Sequence, residues 1–241
     1  MQPDPGPLLD ALGIRTPLIG CYDAPEAGPF APLVAPQPDK MTCVFAFYEN
    51  WLKGETLDLT RENFGCAGAG RALCGVATRS RAELVRFLVD AEGLRASHEL
   101  MEAWLDHGKT YRPEHPHLLI GPLKPDQEPY LKTVTFLVDP DQLSALIIGA
   151  HYRHGPTDPA PVVAPFGAGC MQLLTVFTDL AIPQAAIGAT DIAMRQHLPP
   201  SIMAFTVTKP MFAELCALDE KSFLFKPFWK RLLKAREQSH A

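Results

Sequence analysis

AAIGATDIAMRQHLPPSIMAFTVTKPMFAELCAL, residues 185–218, decides the fold class. Ala185 to Ile187 reads as a strand and Gly188 as its end. Thr190 to Leu198 reads as a helix. Met203 to Thr208 alternates apolar and β-branched residues as a strand does, and Pro210 opens a helix running to Leu218 with proline in its first turn. Strand, helix, strand and helix in so short a span predict a sheet covered by helices. The short turns near 188 and 199 allow antiparallel pairing. The expected class is therefore α/β or α+β, with a mixed sheet covered by helices in a single domain over residues 1–241.

The rhythm extends toward the N-terminus. Leu118 to Ile120, Thr133 to Val138 and Val162-Val163 read as strands, and Asp139-Pro140-Asp141-Gln142 opens a helix through Gly149. Ser80 caps an amphipathic helix with Leu84, Phe87 and Leu88 on one face, and Ser97 starts another ending near His107. Thr42 is the expected cap of an apolar helix through Leu52, followed by a short strand at Thr56 to Leu59. Nine prolines within the first 38 residues limit residues 1–39 to short regular pieces, among them a strand over Thr16 to Tyr22.

Composition excludes several classes. The formal net charge is -5 over 241 residues, which gives little counterion release on a polyanion, so nucleic acid is not an expected partner. No run approaches the roughly 18 apolar residues of a membrane span. The opening MQPDPGPLLD has no basic and apolar leader, and six scattered cysteines do not form a disulfide framework. The expectation is a cytoplasmic protein with free thiols, with a homo-oligomer left open.

Chemistry concentrates in glycine-rich turns before helices. Gly65, Gly68 and Gly70 would let backbone N–H groups converge on an anion, with Arg71 adding charge. Gly167 and Gly169 precede Cys170 in the same manner. Cys66 and Cys170 stand where a helix N-terminus would favour a thiolate, and Cys66 is the candidate nucleophile. Glu49 lies among aromatics in Phe45-Ala46-Phe47-Tyr48-Glu49-Asn50-Trp51. If buried it is a candidate acid or base; on a wet edge of the helix it is not. Asp191 and Arg195 are four apart, spaced as a helical ion pair or, alternatively, with Arg195 turned to a ligand anion. His115-Pro-His117 and His151-Tyr-Arg-His154 lack carboxylates at metalloenzyme spacing and stay outside the expected site. Phe64-Gly65-Cys66 and Phe166-Gly167 with Cys170 form a faint internal echo.

Cys43 heading an apolar helix, Gly65-Cys66-Ala67-Gly68-Ala69, Phe166-Gly167-Ala168-Gly169-Cys170 and Ile187 to Arg195 together resemble the domain of unknown function 169 family, the uncharacterised ArCR proteins. The resemblance runs from about Thr16 to Leu218. It implies a cytoplasmic protein with recurring glycine-cysteine segments, and supplies no reaction or cofactor. The resemblance implies a cysteine-glycine pair, usual in the family, at the segment of Gly188-Ala189, where this chain has alanine in place of the thiol.

Three readings follow. The first is a small-molecule-binding protein, an enzyme or not, taking a small anionic ligand or cofactor at the turns of Gly65–Gly70 and Gly167–Cys170. The second is a metal or iron–sulfur protein ligated by Cys43, Cys66 and Cys170. The third is a non-catalytic oligomeric interaction protein.

Overall fold

The computed structural model describes residues 3–37, 42–63, 80–107, 111–165, 170, 173–174 and 179–239. Its frame is one mixed sheet of eight strands. These are β1 (Ile19–Ala24), β2 (Leu33–Val34), β3 (Thr56–Leu59), β4 (His117–Pro122), β5 (Leu131–Val138), β6 (Val162–Val163), β7 (Ala185–Gly188) and β8 (Met203–Thr208). The order across the sheet is β2-β3-β4-β1-β5-β8-β7-β6. The edge pairs β2–β3 and β6–β7 are parallel and all other neighbours antiparallel. The expected mixed sheet in a single α+β domain is what forms.

Each face of the sheet buries its own cluster, because alternate residues of a strand point to opposite sides. One face carries Tyr22, Leu119, Val134, Phe136, Phe205 and Val207. Four helices cover it: α1 (Gly6–Leu12), α5 (Pro140–His151), α6 (Lys209–Cys216) and α7 (Pro227–Ser239). The other face carries Ile19, Cys21, Leu57, Leu59, Leu118, Ile120 and Leu137. It is covered by Val44, Phe45 and Phe47 of a 3-10 turn and by Tyr48 and Trp51 of α2 (Tyr48–Leu52). Burying one such large apolar side chain stabilises by about 1.5–3 kcal/mol. The N-terminal position of that 3-10 turn is Cys43 with extended backbone and no side-chain cap, so Thr42 is not the cap.

The helices α3 (Arg81–Arg86) and α4 (His98–His107) pack on each other through Leu84, Val85, Leu88 and Met101. Ser80 begins α3 as expected: its hydroxyl accepts from the Glu83 N–H at 3.3 Å, and Glu83 accepts from the Ser80 N–H at 2.9 Å. Such a reciprocal cap contributes about 1 kcal/mol. Asp139 and Gln142 make the same arrangement at α5, at 2.8 and 3.1 Å.

The helix expected over 190–198 does not form. Residues 189–194 are loop and turn, and only Arg195–His197 make a 3-10 turn. The helix expected after Cys170 falls largely outside the described residues.

The strands repeat one plan twice. Strands β1–β4 form one half and β5–β8 the other, and β1 pairs β5 at the middle. Leu33 pairs Thr56 in parallel as Val162 pairs Ala185. The Thr56 N–H donates to the Pro32 carbonyl at 2.8 Å, and the Ala185 N–H to the Pro161 carbonyl at 2.8 Å. The matching segments are Ala31-Pro32-Leu33-Val34-Ala35-Pro36 and Ala160-Pro161-Val162-Val163-Ala164-Pro165. Followed across the sheet, Leu57 faces Ile120, which faces Cys21, while Ala186 faces Thr206, which faces Thr135. Cys21 therefore corresponds to Thr135 and Asp23 to Leu137. The Phe-Gly-Cys echo is not this repeat: residue 64 follows β3 and residue 166 follows β6, and β3 corresponds to β7.

Candidate functional site

Of the residues singled out by sequence, Gly65, Cys66, Gly68, Gly70, Arg71, Gly167 and Gly169 lie outside the described residues. Glu49 is exposed, because Phe45, Tyr48 and Trp51 take the face of the segment that meets the sheet. Its carboxylate has water available, so burial does not make it an acid–base group.

Arg195 is committed to its own loop. Its guanidinium donates to the carbonyls of Ile202 at 2.6 Å, Pro200 at 2.9 Å and Pro199 at 3.3 Å. Pro199, Pro200 and Ile202 lie outside the strands and helices, and a planar fork of donors gathers their carbonyls, the Pro199 carbonyl also accepting from the Ile202 N–H at 3.0 Å. The i, i+4 helical pairing with Asp191 is thus replaced by loop closure. Asp191 accepts from the Ala193 N–H at 2.8 Å. Partial burial, and secondarily the charge of Asp191, push the Glu92 carboxyl above its ordinary 4.5. A raised carboxyl weakens the folded state where it is ionised. Glu92→Gln should therefore stabilise the protein at pH 7 by at most about 1 kcal/mol. That gain should vanish at about pH 3.5, below the unfolded value, where both states are protonated; urea midpoints at the two pH values check it.

Cys43 and Cys170 both pack, partly buried, against the cluster under α2. Cys21 is fully buried in it, and burial pushes its thiol well above the usual range. Burial pushes Cys216, on α6, up to about 12. Neither Cys21 nor Cys216 is a thiolate at neutral pH.

A polar site forms instead where β1, β3 and β4 meet. Asp23, on the α2 face of β1, is fully buried. One of its oxygens accepts from the Tyr111 hydroxyl and from the Glu114 N–H at 2.8 Å. The other accepts from the His115 N–H at 2.9 Å and meets His115 Nδ1 at 3.2 Å. Burial, and then the Asp23 bond, push the Tyr111 hydroxyl up, so it remains a donor. The His115 ring also stands edge-on to Tyr130, with centroids 6.0 Å apart. Across the sheet's other face a second pair forms, His117 Nδ1 with Asp58 at 2.9 Å.

His115 lines a cavity of about 260 Å³ together with Glu114, Arg61, Glu62, Leu59 and Leu118. Its size is at the small end of ligand sites. A turn after β3 presents Arg61 and Glu62: the Thr60 N–H donates to the Asn63 side chain at 2.7 Å, and Asn63 Nδ2 to the Asp58 carbonyl at 3.0 Å. A larger hollow of about 590 Å³ opens between α1, α5 and α7, but its polar groups are spent on the α5 cap and on the Asp141–Arg236 ion pair.

Among the described residues one trio could hold a metal ion: Asp23, Glu114 and His115, with ligand atoms within 4.8 Å of one another. No three cysteines form such a group there. The Asp23 oxygens already accept from three donors and meet His115 Nδ1, so a cation would have to displace one of these contacts. The donor set suits proton chemistry better.

Sequence reading passed over Asp23 and set His115 aside. The available signals were an aspartate inside the apolar strand Leu18-Ile19-Gly20-Cys21-Tyr22-Asp23-Ala24 and a histidine just before Leu118-Leu119-Ile120. A strand aspartate buried on both sides needs donors from elsewhere.

Among the described residues no helix is long and apolar enough to cross a membrane. A model of the domain of unknown function 169, described as uncharacterised ArCR, matches residues 8–217. No curated protein and no solved structure matches the chain.

Proposed function

The chain belongs to the domain of unknown function 169 family, and from that starting point we propose that it is a small-molecule-binding protein whose ligand carries an anionic group. The observation that supports this is the cavity beside the Asp23–His115 pair. Its lining is mixed in charge: Arg61 suits an anionic group, and Glu62 and Glu114 suit a donor on the same ligand. In the sequence the glycine-rich segment follows Glu62, and Cys66 follows Glu62 by four residues. N–H groups of Gly65, Gly68 and Gly70, with Arg71, complete the anion site in this reading, and Cys66 is the group nearest the chemistry. The second half would contribute Gly167, Gly169 and Cys170.

Titration with inorganic phosphate, citrate and an α-amino acid, read by thermal unfolding, tests the proposal. A ligand at 100 times its Kd stabilises by about 2.7 kcal/mol, which in a chain of this size moves Tm by about 5–10 °C. The shift should be lost in Arg61→Ala. If none of the three probes shifts Tm, and the protein as purified carries no small molecule by native mass spectrometry, the reading fails.

A further inference from the structure

We propose that His115 is a proton-transfer group, held by Asp23 with Nδ1 protonated and Nε2 open to the cavity. The proposal rests on the reading of that cavity as a ligand site and adds the class of chemistry. An ionised carboxylate only accepts hydrogen bonds. The 3.2 Å contact with His115 Nδ1 therefore needs the proton on Nδ1. In a neutral ring this leaves Nε2 as the basic nitrogen, the arrangement of a carboxylate-oriented general base.

The repeated halves supply an internal control. Leu137 stands in the second half where Asp23 stands in the first, and Leu137 pairs Ala204 as Asp23 pairs Leu118. Three residues before Ala204 is Ser201, and three before Leu118 is His115. The same strands thus form with leucine at this place, so the sheet does not require a carboxylate there. Burying one costs several kcal/mol before compensation. In the first half that cost is met by a loop that brings a histidine to a cavity. Loop anchoring alone is served by the N–H groups of Glu114 and His115 and by the Tyr111 hydroxyl. The ring contact is additional to it.

Among the described residues, the charged and titratable groups around the ring are Asp23, Tyr111 and Tyr130, with Glu114, Glu62 and Arg61 lining the same cavity. The substrate class is a small polar molecule with an ionisable O–H or N–H, or a C–H beside a carbonyl. The substrate proton passes to Nε2 and its bonding pair stays on the substrate. The imidazolium formed is stabilised by Asp23, and Arg61 faces the new negative charge. Return of the proton from Nε2 to another substrate atom completes the cycle without any redox partner.

Nitrogen NMR of the full chain labelled with 15N-histidine tests the tautomer without any ligand, so it stands or falls independently of the titrations above. His115, assigned by the signal lost in His115→Gln, should carry its proton on Nδ1 at neutral pH. Asp23→Asn should shift it to a mixture, while Tyr111→Phe leaves it unchanged. Diethyl pyrocarbonate, which acylates the unprotonated nitrogen, should modify His115 about tenfold more slowly in Asp23→Asn, with partial recovery in Asp23→Glu. A proton on Nε2 in the unmodified protein overturns the proposal whether or not the variants fold.

Discussion

Asp23→Ala should cost about 3–5 kcal/mol of folding stability, the effect of removing one side of a buried charged network. Truncation leaves the Tyr111 hydroxyl and the N–H groups of Glu114 and His115 without the carboxylate that accepts from them. Each donor left unpaired costs up to about 1–3 kcal/mol, less where water replaces the carboxylate. Replacement by alanine also empties space at a fully buried strand position. Asp58→Ala is the comparison. Its partner His117 stays partly exposed, so the cost should be near 1 kcal/mol. Guanidinium denaturation of both variants decides the matter; equal losses, or a loss below about 1 kcal/mol for Asp23→Ala, would contradict the structure.

Gly121→Val should destabilise by more than the 1–3 kcal/mol usual for overpacking. A Cβ on Gly121 would lie 2.7 Å from the Thr56 Cα and 2.8 Å from its Cβ. Backbone cannot move aside in the middle of a sheet as a flexible side chain would. The second half solves the same contact with sizes exchanged: Val207 pairs Ala185 where Gly121 lies beside Thr56. The double variant Gly121→Val with Thr56→Ala copies that solution and should recover at least half of the loss. Thr56→Ala alone should be nearly neutral, since its hydroxyl is buried without a partner among the described residues. Additive losses in the double-mutant cycle would show that the two halves are not packed by one plan.

Most elements were legible because their signals are local. The apolar spacing and Ser80–Glu83 cap of α3, the Asp139–Gln142 cap of α5, and the alternation in β5 and β8 each sit within a dozen residues. The segment 190–198 misled for a physical reason. Its periodic pattern of Ile192, Met194, Arg195 and Leu198 resembles a helix, yet Ile192 is 79% exposed and Arg195 is drawn to loop carbonyls. Tertiary demand for donors overrode local propensity. The site was hidden differently: Asp23 and His115 are 92 residues apart, and the carboxylate that His115 lacked in its own segment comes from β1.

What the chain order alone determined is the class of the fold, since hydrophobic period and capping chemistry are properties of neighbouring residues. Which strands pair, and therefore the doubled plan and the meeting of a strand aspartate with a distant histidine, was decided only by the assembled sheet. Two-residue strands such as β2 and β6 hold too few side chains to specify partners by themselves. Their register is set by the apolar faces that the whole sheet must bury at once.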